Sequence, residues 1–509
     1  MKHIKIISTI CMGYTISNLY ARNVIDNPNV IIIYTDQQRF DTFHALGNNA
    51  IETPNFDRLI KDGVTFTHAF TAAPVSVSSR WSLHTGMYPT SHGAYSNHHQ
   101  VCPPPSNSLP KILKDNGYKT VLVGKNHCFL GKTEMDIIEG ISKFKEKPYD
   151  KRSAEKAVSW SIEEDPMHKL TNKAIYWLSQ NKKNNKPTFM WLSYLYPHTP
   201  YMCPEPYFSM YDNVNIPSPI IEPEGLEKAG KPFRQQFHQI NNNIRIPYDK
   251  DKTMRMKRTY YGMISMIDAE IGRLLDYLEQ NDMKENTLIV FSSDHGDYMG
   301  DHGMYTKSPA LYDCLTRVPL IFSFPPCIPS SRVNNSLVSS TDIMPTILDM
   351  LNLPVPEQVQ GKSLKFELTG KGEKIERKYV FSEYGIPGKP ILKDELDIRM
   401  PDWRTNALVF NSGMPWEGSP VGLAGRIRMI RSHDFKLVEE EQGNNELYDL
   451  RTDPNELSNV YNQEKYKDII SELTRELHKW KEGLPGIERD TIQMAEKNFA
   501  KYLNRRYKQ

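Results

Sequence analysis

Val30-Ile31-Ile32-Ile33-Tyr34-Thr35 runs straight into Asp36-Gln37. Six β-branched or aromatic residues in a row lack the apolar and polar alternation of a half-solvated strand, so the pattern predicts a strand buried on both faces of a sheet. Three other runs share this ending. Lys119-Thr120-Val121-Leu122-Val123-Gly124 meets Lys125-Asn126-His127, Thr188-Phe189-Met190-Trp191-Leu192-Ser193 leads to His198, and Leu288-Ile289-Val290-Phe291-Ser292-Ser293 meets Asp294-His295. Longer helical patterns lie between them. The clearest covers Met263 to Gln280, where Ile264, Ile267, Ile271, Leu274, Leu275 and Leu278 form a stripe at i, i+3, i+4 spacing. Strands alternating with helices predict an α/β fold, a large sheet flanked by helices on both sides. Ligands of such sheets bind beyond the carboxyl ends of the strands, so the carboxylates, imidazoles and lysine that follow these four strands are expected in one pocket.

The chain has 509 residues, more than the ~250–300 at which a single hydrophobic core stops growing. Two domains are therefore expected: a large α/β domain over 24–370 and a smaller α+β domain over 371–509, parted at the polar stretch Gly370 to Glu376. In the second, Arg426 to Arg431, Phe435 to Val438 and Glu446 to Leu450 predict short antiparallel strands, followed by a helix from about Glu464 to Trp480. The Pro-rich, charged stretch from Cys203 to Lys252 shows little periodicity and reads as a long excursion over the pocket mouth. With 39% hydrophobic and 24% charged residues the composition is globular, and excludes disordered, collagenous and membrane-spanning classes. Lys and Arg number 63 against 61 Asp and Glu, a net charge of +2 that creates no broad field for nucleic acid or an anionic membrane. Lys2, His3 and Lys5, then the apolar Ile6 to Ile16 and Ala21, read as a signal peptide over 1–21, which implies a periplasmic or secreted protein. The segment is too short to span a bilayer. Cys102, Cys128, Cys203, Cys314 and Cys327 remain after its removal and contain no Cys-x-x-Cys pair, so neither a disulfide framework nor a zinc knuckle is indicated.

Pro74-Val75-Ser76-Val77-Ser78-Ser79-Arg80-Trp81-Ser82-Leu83-His84-Thr85-Gly86 has the character of a helix N-terminus, whose free N–H groups attract an anion, with Arg80 one turn along adding a fixed charge. Ser76-x-Ser78-Ser79-Arg80-x-x-Leu83-x-Thr85-Gly86 resembles the sulfatase signature, in which Cys or Ser stands first and Arg fifth. Other motifs agree in order: Asp36-Gln37-Gln38-Arg39, Thr53-Pro54-Asn55-Phe56-Asp57-Arg58-Leu59, Gly124-Lys125-x-His127, Pro197-His198-x-Pro200, Ser293-Asp294-His295-Gly296, Gly300-Asp301-His302-Gly303 with Lys307, and the closing Glu446-Leu447-Tyr448-Asp449-Leu450-x-x-Asp453-Pro454-x-Glu456. The resemblance spans nearly the whole chain after residue 21 and implies an alkaline-phosphatase-like mixed sheet, with an antiparallel sheet in the C-terminal domain.

What the resemblance implies for chemistry is specific. Ser76 is converted by a formylglycine-generating maturase, one that accepts serine as the anaerobic type does, and the hydrated aldehyde is the nucleophile. A plain serine would leave a sulfate ester slow to hydrolyse, whereas a gem-diol uses its second hydroxyl to expel sulfate. Asp36, Gln37, Asp294, His295 and the oxygen at Ser76 hold a divalent cation, Ca2+ in the usual case and Mg2+ as an alternative. Gln37 and His295 replace more frequent Asp and Asn, which lowers the negative charge of the set. Lys125 and Lys307 flank the sulfate, Arg80 steadies the nucleophile, His127 orients or deprotonates it, and His198 protonates the departing alcohol. His302, Asp301, Asn97 and His98 are weaker candidates for substrate contacts, and Trp403, Trp416 and Arg426 for a sugar clamp. The implied activity is hydrolysis of a sulfate monoester of a sulfated carbohydrate. Choline or aryl sulfates and phosphonate monoesters stay open as substrates. A metal-dependent phosphodiesterase with unmodified Ser76 is a second reading, though no Asp-x-x-x-His-x-x-x-His run occurs, and a non-catalytic glycan-binding relative is a third.

Overall fold

The computed structural model describes residues 27–97, 107–144, 156–184, 186–245, 247–385, 393–394, 397, 425–441 and 443–485. The expected signal peptide over 1–21, Cys11, Cys102, His98, Trp403 and Trp416 lie outside them. Eight strands make one mixed sheet: β1 (Asn29–Thr35), β2 (Val64–Phe70), β3 (Lys119–Gly124), β4 (Ile137–Glu139), β5 (Thr188–Ser193), β6 (Thr287–Ser293), β7 (Leu320–Ser323) and β8 (Arg332–Ser339). Their order is β4-β3-β5-β1-β6-β7-β2-β8. The four expected strands are therefore neighbours, β3-β5-β1-β6, and they pair in parallel with Val30 opposite Phe189 and Leu288. Parallel pairing brings all four carboxyl ends to one edge. β7 runs antiparallel to both β6 and β2, which makes the sheet mixed.

The uninterrupted apolar runs follow from cover on both faces. Ile31 and Ile33 of β1 pack into a core with Ile264, Ile267 and Ile271, while Val30, Ile32 and Tyr34 face a second core with Val77 and Trp81. Val30 to Ile33 are fully buried, each such side chain contributing about 1.5–3 kcal/mol. The long helix over Lys250–Gln280 starts thirteen residues before the expected Met263, capped by Asp249, whose side chain accepts from the Lys252 amide. Its first turns bury Thr253, Met256 and Tyr260 in place of the aliphatic stripe, which is why periodicity alone misses them.

The stretch from Cys203 to Lys252 departs from expectation. It contains the helix Phe233–Arg245, and Arg234 and Gln235 bond Glu446 of the C-terminal sheet. It is thus tied down by buried polar contacts instead of running free across a pocket. The C-terminal sheet has the order β12-β11-β10-β9, all antiparallel: β9 (Val380–Tyr384), β10 (Ile427–Arg431), β11 (Phe435–Glu440) and β12 (Glu446–Asp449). β9 was not foreseen; the other three match the expected strands. The helix Lys467–Glu482 covers this sheet through Leu473 and Leu477 against Ile430, Leu437 and Leu447. The expected boundary near residue 370 falls between the short helix Lys365–Thr369 and β9. No helix among the described residues is long and apolar enough to cross a membrane.

Candidate active site at the carboxyl edge of the sheet

Ser76 is the first residue of the helix Ser76–Thr85, whose ten residues are all buried. A helix of such polar composition is held inside by specific partners. Thr71 Oγ1 donates to Ser79 Oγ at 2.9 Å, Tyr34 OH lies 3.1 Å from the same oxygen, and Asn97 Oδ1 accepts the Val77 amide at 3.1 Å. Asn97 thereby satisfies one of the unpaired N–H groups of this helix end, next to Ser76. That is a different contact from the substrate contact expected of it.

Arg80, one turn on, is fully buried over the Tyr34 ring. Its guanidinium reaches Asp36 Oδ2 at 2.8 Å, Asp294 Oδ2 at 3.2 Å and Ser193 Oγ at 2.7 Å, so one cation ties together the ends of β1, β6 and β5. Lys125 Nζ bonds Asp36 Oδ2 from the end of β3. Gly124 makes that approach possible. Its φ is +108°, and a Cβ there would lie 2.0 Å from the Ser193 carbonyl oxygen. Gly124→Ala is expected to cost about 1–3 kcal/mol in backbone strain alone, before the clash, and a urea titration reads the loss; an unchanged midpoint refutes the close packing of β3 on β5.

Burial pushes the Asp36 carboxyl upward, but Lys125, His198, Arg80 and Lys307 together hold it well below the usual carboxylate range. For Asp294, burial and Asp36 push upward and are outweighed by His295, Arg80 and Lys125. Both are carboxylates at neutral pH. The imidazoles respond oppositely: burial, with nearby cations, brings His127 and His295 down to about 4 and His198 to about 3. All three rings are neutral at pH 7. His295 Nδ1 lies 2.8 Å from the Gly296 carbonyl and His198 Nδ1 2.6 Å from the Thr199 carbonyl. A carbonyl only accepts, so Nδ1 carries the proton in both and Nε2 offers a lone pair. Nε2 of His295 faces Ser76 Oγ at 3.3 Å, and Nε2 of His198 stands 3.8 Å from Asp36 Oδ1.

These donors fit a divalent cation. Asp36, Asp294 and His295 can each place one ligand atom within 4.8 Å of the others, and buried Asp36 Oδ1 has no hydrogen-bond partner. Lys307 Nζ already stands among the remaining donors, 2.9 Å from His295 Nε2, 3.4 Å from Gln37 Oε1 and 3.5 Å from Ser76 Oγ. The group is built to face positive charge. Lys125, Lys307 and Arg80 stand against Asp36 and Asp294, and Lys307 turns its ammonium toward Ser76 Oγ, which favours an anionic ligand there.

The fold thus gathers Ser76, Arg80, Asp36, Gln37, Lys125, His198, Asp294, His295 and Lys307. His127 lies in the same field: beyond burial, Lys125 and Arg80 lower its ring and Asp36 raises it, and its buried Nδ1 has no hydrogen-bond partner. His302 does not join the cluster. It is 3% exposed, bonds Glu222 at 2.6 Å and stacks on Tyr312 at 3.9 Å, which ties the 222–235 stretch to the sheet edge. The substrate contact expected there gives way to packing. Asp301 is likewise engaged, by Arg39 at 2.7 Å and the Ile220 amide at 2.9 Å. Arg426 stands over the Tyr95 ring at 4.6 Å, 6% exposed. A cavity of about 800 Å³ opens elsewhere, among Phe40, Tyr261, Lys257 and Arg317, and holds none of the clustered side chains.

Sequence reading missed two participants. Ser193, the last residue of β5, holds Arg80, and Asp297 binds the Gln37 side chain. Only the position of Asp297, three residues after Asp294, hinted at its role.

Residues 28–353 match the family model described as Sulfatase, and residues 300–414 and 416–483 match N-sulphoglucosamine sulphohydrolase, C-terminal. An arylsulfatase of Clostridium perfringens is 28% identical, with 90% of this chain and 95% of that protein covered. An N-acetylglucosamine-6-O-sulfatase of Bacteroides thetaiotaomicron is 26% identical over 91% of this chain and 88% of its own. In fold the chain is similar to the phosphonate monoester hydrolase of Agrobacterium radiobacter, with a TM-score of 0.73, 24% identity and coverage of 90% and 96%. With motif order, strand-end placement and the family model in agreement over more than half its length, the chain belongs to the sulfatase family of sulfuric ester hydrolases.

Proposed function

We propose that this protein is an exported glycan sulfatase that removes a sulfate monoester from a sulfated saccharide, using Ser76 converted to formylglycine and one bound Ca2+. The observation that carries the reading is the convergence of three cations beside Ser76, with Lys307 Nζ 3.5 Å from its Oγ and Arg80 and Lys125 on the adjoining carboxylate. Glycan specificity is supported by the N-acetylglucosamine-6-O-sulfatase among the relatives, and export by the pattern of residues 1–21.

Formylglycine supplies a hydrated aldehyde as nucleophile, and Asp36, Gln37, Asp294 and His295 are the residues that hold the cation. Hard carboxylate and amide oxygens suit Ca2+. Lys125 and Lys307 bind the sulfate oxygens and stabilise the charge that moves onto the leaving oxygen, a contribution of about 3–4 kcal/mol for a well-placed donor. Neutral His127 takes a proton from the nucleophile. His198 faces a conflict in the free protein, because its surroundings withhold the proton that an acid must give. Burial is the larger cause of that neutrality, and a bound sulfate monoanion offsets Lys307 and Lys125, which lower the ring further, so substrate binding favours uptake of a proton from solvent at Nε2.

The test is co-expression with a serine-type maturase, followed by intact mass and a substrate screen. Conversion of Ser76 lowers the mass by about two daltons, the loss of two hydrogens. Sulfate release from sulfated mono- and disaccharides is expected to exceed release from aryl or choline sulfate. Turnover confined to phosphonate monoesters overturns the substrate class. Unchanged mass with no turnover supports a glycan-binding relative instead.

A further inference from the structure

Gln37 is fully buried and its backbone is left-handed, with φ at +70°. Its amide N–H donates to Asp294 Oδ1 at 2.9 Å, so the residue is fixed at both ends. Side-chain Nε2 donates to Asp297 Oδ2, while Oε1 faces Lys307 Nζ at 3.4 Å. An ammonium offers only donors, so the atom turned toward Lys307 is the amide oxygen, and the NH2 group necessarily faces Asp297. Asp297 receives nothing but donors. Oδ2 also accepts Tyr201 OH at 2.6 Å, and Oδ1 accepts the amides of Met299 at 2.9 Å and Thr306 at 3.0 Å. Two donors meet each oxygen, so the carboxyl is set to accept from the Gln37 NH2 group.

We propose that Asp297 is a positioning residue that fixes the Gln37 amide with its oxygen toward the cation site. The inference rests on the divalent-cation reading of the site. The two side chains act as one unit: the Asp297 oxygen accepts from NH2, which holds Oε1 turned toward the site and orients the ligand.

Isosteric exchanges test this by direct Ca2+ titration calorimetry and by the Ca2+-dependent rise in melting temperature, neither of which needs turnover. In Asp297→Asn, the two backbone amides hold the Asn oxygen, so its NH2 meets the Gln37 NH2 and forces that amide to turn an N–H toward the cation. Ca2+ affinity is expected to fall about 10–100-fold, the usual effect of losing such an outer partner. Gln37→Glu sets a carboxylate against Asp297 and is also expected to weaken binding, although an added carboxylate ligand ordinarily tightens it. The double variant Gln37→Glu with Asp297→Asn restores the pairing, Asn NH2 to Glu carboxylate, and is expected to bind Ca2+ better than either single variant. A purely structural Asp297 gives no such recovery. An unchanged affinity in Asp297→Asn, or a double variant no better than the singles, overturns the proposal. Should Asp297→Asn fail to fold, Gln37→Glu decides alone, since tighter binding there refutes it. Absence of any Ca2+ or Mg2+ binding by the unaltered protein is a separate result, and refutes the cation reading itself.

Discussion

Ser76→Ala is expected to reduce sulfate release by a factor on the order of 10⁴–10⁶, the usual effect of removing a nucleophile that acts as part of a unit, while leaving the melting temperature almost unchanged. The two halves of this expectation come from the same contacts. Ser76 Oγ lies 3.3 Å from His295 Nε2 and 3.5 Å from Lys307 Nζ, long contacts whose loss costs about 1 kcal/mol or less. The helix does not depend on this hydroxyl, because Ser76 is its first residue while Val75 occupies the capping position without a side-chain bond. Asn97, Thr71 and Tyr34 hold the helix from the side, through the Val77 amide and Ser79 Oγ. Arg80, Lys125 and Lys307 remain in place in the variant, so it should still bind sulfated saccharides. Ser76→Cys, given a maturase that acts on cysteine, is expected to recover activity. Activity above about one percent in Ser76→Ala, against the factor above, removes Ser76 from the nucleophile role.

The sequence made the framework of this site legible because residues that leave a buried strand have few places to go. Asp36, Lys125 and Asp294 follow apolar runs at once, and parallel pairing brings those ends together whatever lies between. Side chains further along each loop were not legible in the same way. His302 stands in a motif only five residues before Lys307, yet its ring turns to Glu222 and Tyr312. Asp297 sits in the same loop and turns inward to a partner 260 positions away. Direction within a loop depends on which distant groups need a hydrogen bond, and nothing local encodes that. The stretch before Met263 failed for another reason. Its buried face is made of Met, Thr and Tyr, which periodicity counts as only partly apolar.

Asp313→Asn is expected to loosen the C-terminal sheet from the eight-stranded sheet and its flanking elements, at a cost of about 3–5 kcal/mol, the range for breaking a buried ion pair by removing one partner. Asp313 opens the short helix Asp313–Thr316 in the connection from β6 to β7 and reaches the C-terminal sheet, at Arg431 of β10 (2.9 Å) and Lys436 of β11 (2.5 Å). Glu456 completes the group, accepting the Asp313 amide at 2.6 Å and pairing with Lys436 at 2.5 Å. Against the push of burial, Arg431, Lys436 and Arg317 hold the Asp313 carboxyl well below its ordinary range. A carboxyl depressed in the folded state stabilises fully above its unfolded pKa of about 3.9 and loses that contribution as pH falls below it. Glu456 moves the other way, raised by burial and by Asp313, so its neighbour's removal eases its ionisation and returns part of the cost. Two results follow. Hydrogen exchange should show protection of β10 and β11 falling in Asp313→Asn while β1 and β6 keep theirs, since the latter sit in cores that this cluster does not touch. Acid should also release the C-terminal sheet as pH falls below about 4, and the variant should lose the part of that pH dependence that Asp313 carries. Equal loss of protection in both sheets, or an unaltered acid profile, assigns the docking to the apolar contacts of Phe70, Val75 and Leu337 with Val380, Ile427 and Met429 rather than to the charges.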